Sequence, residues 1–115
     1  MSSIIHVDNS GFFRKIMKAF LSELGLESES FDHGKEALAV LEAGNTSCVI
    51  TGLELPDMKG EDFIDQIAAL ANPVSIIVFS AITDEDRIKH LETKGVVGIV
   101  EKTSNWKEEL KKFFV

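Results

Sequence analysis

Several residue types and sequence features are scarce or missing in this chain of 115 residues. Cys48 is the only cysteine, which excludes a disulfide within the chain and is typical of the reducing cytoplasm. No apolar run approaches the ~18 residues of a membrane span, and the first residues lack the pattern of a signal peptide. Basic residues are in deficit, with 12 against 19 acidic ones and a formal net charge of -7. This charge argues against a nucleic-acid-binding surface.

Short apolar segments alternate with segments of helical periodicity along the whole chain. Strands are predicted at 4–7, 26–31, 47–51, 74–79 and 96–100. Helices are predicted from Ser10 to Gly25, at 35–43, 61–71 and 83–93, and from Ser104 onwards, with Ser10, Thr83 and Ser104 as N-caps. This order predicts one α/β domain over 1–115: a doubly wound, five-stranded parallel sheet with helices on both faces. The flavodoxin-like strand order 2-1-3-4-5 is expected, with the most apolar strand, 74–79, in the centre.

Polar residues follow four of the predicted strands. In a doubly wound sheet, ligands bind beyond the carboxyl ends of the strands, beside the point where the strand order reverses. The sequence is therefore expected to bring together at one edge the pairs Asp8-Asn9, Thr51-Gly52, Ser80-Ala81 and Glu101-Lys102.

These strand ends resemble the receiver domains of bacterial response regulators, the CheY-like family. In GLELPDMKG, Pro56 and Gly60 follow Gly52 by four and eight residues, as in the family's loop after its third-strand aspartate. VDNS resembles the family's acidic pair, and Ser80-Ala81 and Lys102 match its hydroxyl residue and its lysine. The resemblance covers essentially the whole chain. It implies a module of two-component (phosphorelay) signalling rather than an enzyme. In the family, the third-strand aspartate accepts a phosphoryl group from a histidine kinase, with Mg²⁺ bound.

The sequence departs from the family pattern at the residues that carry this chemistry. Gly52 stands at the phosphoacceptor position and Asn9 at the second position of the acidic pair. Because an amide oxygen binds Mg²⁺ less well than a carboxylate, the resemblance implies weak magnesium binding at most, with no metal site and no cofactor expected. Ile99 replaces the aromatic residue of the family's switch position, and Thr103 replaces the proline after the lysine. The chain is therefore interpreted as a degenerate receiver, or pseudo-receiver, that lacks its phosphoacceptor.

Three roles remain open for the vestigial pocket, which comprises Asp8, Asn9, Gly52, Glu54, Ser80 and Lys102. The favoured role is structural, with Asp8 and Lys102 forming an ion pair. In a second, Glu54 is a displaced phosphoacceptor and the domain stays active with Mg²⁺. In a third, Lys102 and Ser80 bind an anion or small ligand. Asp57, further along the loop, is expected to be a solvated turn residue.

Single residues outside the pocket have mainly structural interpretations. His6, inside a strand covered on both faces, is expected to be hydrogen-bonded and structural. Cys48 is expected to pack as a small hydrophobe, and Trp106 to lie in the core. His33 and His90 are far apart in the pattern, so no metal cluster is indicated.

The fourth predicted helix, the fifth strand and the last helix form the face that receivers commonly use for dimerisation. Its mixed charge suits a polar, symmetric interface, and a solvated surface is the alternative. The expected partners are a histidine kinase, an output domain or a second copy, in the cytoplasm and away from membranes. The charged residues of this face are Asp86, Arg87, Lys89, Glu92, Lys94, Lys107, Glu108, Glu109, Lys111 and Lys112.

The apolar end, 113–115, is expected to pack against a neighbour or to mark a domain excised from a longer protein.

Overall fold

A computed structural model describes residues 3–81 and 84–114 and contains a five-stranded parallel sheet in the order β2-β1-β3-β4-β5. The strands are β1 (Ser3–Val7), β2 (Ser28–Phe31), β3 (Thr46–Thr51), β4 (Ser75–Ser80) and β5 (Gly98–Glu101). The helices that alternate with them are α1 (Gly11–Glu23), α2 (Gly34–Leu41), α3 (Gly60–Ala68), α4 (Glu85–Glu92) and α5 (Trp106–Lys111). The predicted α/β class and strand order are confirmed.

Two apolar layers cover the sheet, one on each face. Helices α2, α3 and α4 supply one layer, through residues such as Leu41, Phe63 and Leu91. Helices α1 and α5 supply the other, which includes Met17 and Trp106. Side chains of β1 alternate between the layers, because successive residues of a strand point to opposite faces. The interior strands are therefore buried on both sides, and their carboxyl ends reach solvent at one edge.

Helix α1 shows how local sequence signals set an element's limits. Ser10 caps its start, its hydroxyl accepting a hydrogen bond from Phe13 N at 3.2 Å. Gly25 ends the turn beyond the helix with a φ of 78°, a conformation that favours glycine. The chain then folds back, and Leu26 N donates to Leu21 O at 2.9 Å. Leu26 thus belongs to the turn, which is why β2 begins two residues later than predicted.

Other element limits differ from the prediction as well. Strand β4 was expected in the centre of the sheet, but β3 is the middle strand and β4 lies between β3 and β5. The reason is that a high apolar content indicates burial on both faces of the sheet, and β3 and β4 are both buried in this way. Helix α3 ends at Ala68 and β5 begins at Gly98, so both are shorter than predicted. Pro73 set only an outer limit for the helix.

Two of the three predicted N-caps did not appear as predicted. Thr83 lies outside the described residues, and Asp84 caps α4, accepting hydrogen bonds from Asp86 N and Arg87 N. Ser104 is not a cap: Trp106 N donates to Thr103 O at 3.2 Å, so Ser104 lies within a turn that precedes α5.

The interpretations of Trp106 and Cys48 as core residues are confirmed. Trp106 is buried against Phe20 and Phe79, with ring centroids 5.3 and 5.2 Å away. Burial raises the pKa of the Cys48 thiol to about 11, which keeps it protonated and unreactive. None of the helices in the described part of the chain combines the length and apolarity needed to cross a membrane.

Candidate functional site

The carboxyl ends of β1, β3, β4 and β5 surround a cavity of about 210 Å³ at one edge of the sheet. The structure thus brings together all the residues that the sequence predicted for the vestigial pocket. The cavity is lined by Asp8, Asn9, Gly52, Leu53, Glu54, Phe79, Ser80, Ala81 and Lys102.

An ion pair between Asp8 and Lys102 occupies the polar part of this cavity. Lys102 Nζ lies 2.8 Å from Asp8 Oδ2, and Ser10 N donates to Asp8 Oδ1 at 2.9 Å. Burial alone would raise the pKa of Asp8, but the His6 ring, the Lys102 ammonium and the Ser10 amide together lower it. The ammonium also lies over the Phe13 ring, 4.4 Å from its centroid. The predicted ion pair is confirmed, and the Lys102 ammonium contacts both the Asp8 carboxylate and the Phe13 ring.

Gly52, which the resemblance places at the phosphoacceptor position, has room around it for a side chain. Its N–H donates to Val7 O at 2.8 Å, which fixes the backbone at the end of β3. A Cβ added there would lie 3.7 Å from Val7 O and 3.8 Å from Asp8 Cγ, distances of ordinary van der Waals contact. The fold therefore does not require glycine at this position. Thr51, one residue earlier, is fully buried.

Glu54 is held away from the cavity interior by an arginine of α4. Its Oε1 accepts a hydrogen bond from Arg87 Nη1 at 2.8 Å, and its side chain is 63% exposed. This carboxylate is therefore turned towards solvent and already paired, an arrangement that does not favour its use as a displaced phosphoacceptor.

The loop between β3 and α3 keeps a closely packed backbone. Gly60 N donates to Leu53 O at 2.7 Å. A Cβ on Gly60 would lie 2.7 Å from Leu53 Cα and 2.8 Å from Gly52 O, closer than real side chains come. Gly60 is required because the two ends of the loop touch.

Asp57 is not the solvated turn residue that the sequence predicted. Its carboxylate accepts hydrogen bonds from Gly34 N at 2.8 Å and Lys35 N at 3.0 Å. It thus caps the start of α2 from a loop 22 residues away. Partial desolvation raises the pKa of Asp57, but these two hydrogen bonds outweigh it and lower the pKa. No local pattern around Asp57 indicates this cap, because the helix that it caps belongs to a distant segment.

His6 is buried as predicted, but its predicted hydrogen bond is missing. It is 1% exposed, and Nε2 lies 3.6 Å from Asp8 Oδ2, too far for a hydrogen bond. Among the described residues neither ring nitrogen has a hydrogen-bond partner. The ring thus lies between the Asp8 carboxylate and the Phe79 ring, whose centroid is 6.2 Å away.

The remaining predicted site residues lie at the rim or beyond it. Asn9 is exposed at the edge of the cavity, whereas Ser80 is 8% exposed and makes a polar contact of its own. Ile99 is half-buried and packs against the core layer of α2, α3 and α4, and it is not among the residues that line the cavity. It also lines a separate groove, described next.

A groove of about 450 Å³ runs between α4 and β5. Val97, one of its lining residues, is 53% exposed, and Phe113, which packs against Gly98, is 40% exposed. The predicted interface face is thus less uniformly charged than its sequence indicated, because Arg87 and Lys94 turn away to pair with α3. The groove is lined by Ile88, Glu92, Val96, Val97, Gly98, Ile99 and Glu101.

Potential metal ligands meet at one place that the sequence did not indicate. In the described ranges, Asp32, His33 and Glu36 offer ligand atoms within 4.8 Å of one another. His33 Nδ1 lies 2.7 Å from Asp32 Oδ1 and 3.5 Å from Glu36 Oε1. Hydrogen bonding to Asp32 raises the pKa of His33. All three side chains are well exposed, and the contacts are those of surface ion pairs.

Comparisons with known proteins identify the family to which the chain belongs. The chain is 29% identical to the chemotaxis protein CheY-3 of Vibrio cholerae, over 96% of this chain and 90% of that protein. It is equally similar to the chemotaxis protein CheY of Pseudomonas aeruginosa, with 96% and 94% covered. The structure of a response regulator receiver protein from Pseudomonas putida superimposes with a TM-score of 0.87 at 26% identity, covering 96% and 93%. The family model of the response regulator receiver domain matches residues 4–113, so the chain belongs to that family of two-component signalling modules.

Proposed function

We propose that this protein is a degenerate receiver domain that acts by binding a protein partner or a second copy, without being phosphorylated on an aspartate. The observation that carries the proposal is Gly52 at the phosphoacceptor position, in a pocket that keeps Asp8, Ser80 and Lys102 of the family pattern. Among the described residues that line the cavity, both carboxylates are already paired: Asp8 with Lys102, and Glu54 with Arg87. The nucleophile that phosphoryl transfer needs is therefore missing.

The oxygen donors of the pocket do not fit a magnesium ion. Mg²⁺ is bound in proteins mainly through carboxylates. The Asp8 carboxylate already accepts from Ser10 N and pairs with the Lys102 ammonium. Asn9 offers a neutral amide, and Gly52 offers no side chain. The same ion pair argues against an anion site, because the cation that would bind the anion is neutralised.

The groove between α4 and β5 is the best-supported surface for a partner. Its exposed Val97 and the neighbouring Phe113 provide apolar area beside Glu92 and Glu101 on the rim, a combination of apolar centre and polar edge that is typical of interfaces. The partners that fit a receiver are a histidine kinase, an output domain or another receiver, within cytoplasmic two-component signalling.

The test is phosphorylation with acetyl phosphate and Mg²⁺, followed by intact-mass analysis. The wild-type chain is expected to give no phosphoryl adduct. The matched positive control is Gly52→Asp combined with Asn9→Asp, which restores both carboxylates and is expected to give an acid-labile adduct. An adduct on the wild-type chain contradicts the proposal, and its loss in Glu54→Gln would assign the phosphoryl group to Glu54.

Partner binding is tested separately by sedimentation of wild type and Val97→Glu. A charge at the exposed position of Val97 in the groove is expected to weaken any self-association or partner binding that uses this surface. Lys18→Glu, on α1 at the opposite face of the sheet, is the control. Binding that Val97→Glu leaves intact would place the interface elsewhere.

A further inference from the structure

Helix α4 has little apolar anchorage in comparison with its neighbour α3. Helix α3 buries Phe63, Ile64 and Ile67, whereas Leu91 is the one buried residue of α4. Most of the stability of a helix in a protein comes from packing its apolar face. Contacts of another kind must therefore contribute to the position of α4.

Arg87 supplies such contacts at the start of α4. Its Nε donates to Glu61 Oε2 at 2.6 Å and its Nη2 to Glu61 Oε1 at 2.9 Å, a bidentate pair with α3. Its Nη1 donates to Glu54 Oε1 at 2.8 Å, in the loop after β3. Arg87 and Glu61 are only 21% and 19% exposed, so solvent screens this pair less than an ordinary surface pair. The hydrogen bonds from Arg87 hold the pKa of Glu61 below its usual value.

Lys94 makes a second contact just after the end of α4. Its Nζ lies 2.8 Å from Asp65 Oδ1, and the lysine side chain is 16% exposed. Glu61 and Asp65 are four residues apart and therefore lie on one face of α3. Two basic residues, Arg87 of α4 and Lys94 of the turn after it, thus meet one acidic stripe of α3, near the two ends of α4.

We propose that Arg87, with Lys94 in support, is an ionic clamp that fixes α4 to α3 and to the loop after β3. Ile88 and Glu92 of α4 form one wall of the groove, and β5 forms the other. The clamp therefore sets the width of the groove. A role of the clamp in partner binding rests on the function proposed above, whereas the existence of the clamp does not depend on that function.

Amide hydrogen exchange of the full chain, read by mass spectrometry, tests the clamp. Arg87→Gln keeps a long polar side chain but removes the charge and the bidentate geometry. It is expected to speed exchange in 85–92 by about tenfold, because charge-assisted hydrogen bonds that hold a weakly packed helix are lost. Exchange in β1 and β3 is expected to change much less. Lys112→Gln, which removes an exposed pair with Glu109, is the control and should leave 85–92 unchanged.

Variants of the two acidic partners separate the arms of the clamp. Glu61→Gln is expected to resemble Arg87→Gln in 85–92. Glu54→Gln is expected to speed exchange mainly in the loop at 53–59. Arg87→Gln in the Glu61→Gln background should add little in 85–92, since the Arg87–Glu61 contact is already lost, and should act mainly on the loop at 53–59 through the loss of the Glu54 contact.

The clamp is overturned if Arg87→Gln leaves exchange in 85–92 unchanged. It is also overturned if all segments speed up by the same factor, which would show an ordinary loss of global stability. These results do not depend on whether the wild-type chain accepts a phosphoryl group, so failure of the clamp and failure of the proposed function are distinguishable.

Discussion

The two ends of the loop between β3 and α3 each carry a glycine, and the two glycines are constrained differently. At Gly60, an added Cβ would meet the backbone of Leu53 at 2.7 Å. At Gly52, the nearest atom to an added Cβ would be 3.7 Å away. One glycine is thus demanded by packing, whereas the other stands where a side chain fits. In the function proposed above, the loop keeps the shape of a receiver's phosphorylation site without the group that is phosphorylated.

The largest expected effect is at the constrained end of the loop. Gly60→Ala should lower the free energy of unfolding by about 3 kcal/mol, because its methyl group must displace the backbone of Leu53 and Gly52. Urea unfolding followed by circular dichroism measures this change. A loss no larger than that of Gly52→Ala would remove the contrast between the two glycines.

A smaller loss is expected from the ion pair beside Gly52. Asp8→Asn leaves the Lys102 ammonium, 14% exposed, facing an uncharged amide, which should cost about 2 kcal/mol. Glu109→Gln, which removes an exposed pair with Lys112, is the control and should cost less than about 0.5 kcal/mol. Equal losses in the two variants would show that the pocket pair is no stronger than a surface pair.

The same ion pair predicts a pH dependence of stability. The pKa of Asp8 is lowered in the folded state, so its contribution is fully present above the ordinary pKa of 3.8 and is lost as pH falls through the lower folded value. The difference in unfolding free energy between wild type and Asp8→Asn should therefore be constant near neutral pH and shrink in acid below about pH 4. A difference that persists unchanged into acid would contradict this assignment.

The sequence predicted the arrangement of the pocket better than it predicted contacts between distant segments. Strand order and the residues at the strand ends follow from hydrophobic periodicity and the parallel crossover, and both were correct. Asp57 and Arg87 were misassigned, to solvent and to an interface, because their partners Gly34 and Glu61 lie more than twenty residues away. Local patterns carry no information on such pairs. His6 was placed correctly, but periodicity cannot tell whether a buried ring finds a hydrogen-bond partner.

A moderate effect is expected from the cap that the loop supplies to α2. Asp57→Ala removes the acceptor of Gly34 N and Lys35 N and should cost about 1 kcal/mol. Asp62→Ala is the matched control, since Asp62 lies in the first turn of α3 but is exposed. Chemical unfolding of the two variants gives the comparison. If they lose equally little, the loop merely touches α2, and its retained shape needs another explanation.

The smallest expected effect is at Gly52 itself. Gly52→Ala adds a methyl group at ordinary contact distances, and replacing glycine at a compatible backbone conformation reduces the entropy of the unfolded chain. The free energy of unfolding should therefore change by less than about 0.5 kcal/mol, in either direction. The Asp8–Lys102 pair should persist, since the new methyl group would lie beside Asp8 Cγ without displacing it. A loss comparable to that of Gly60→Ala would show that the fold depends on glycine at this position as well, and the contrast between the two glycines would disappear.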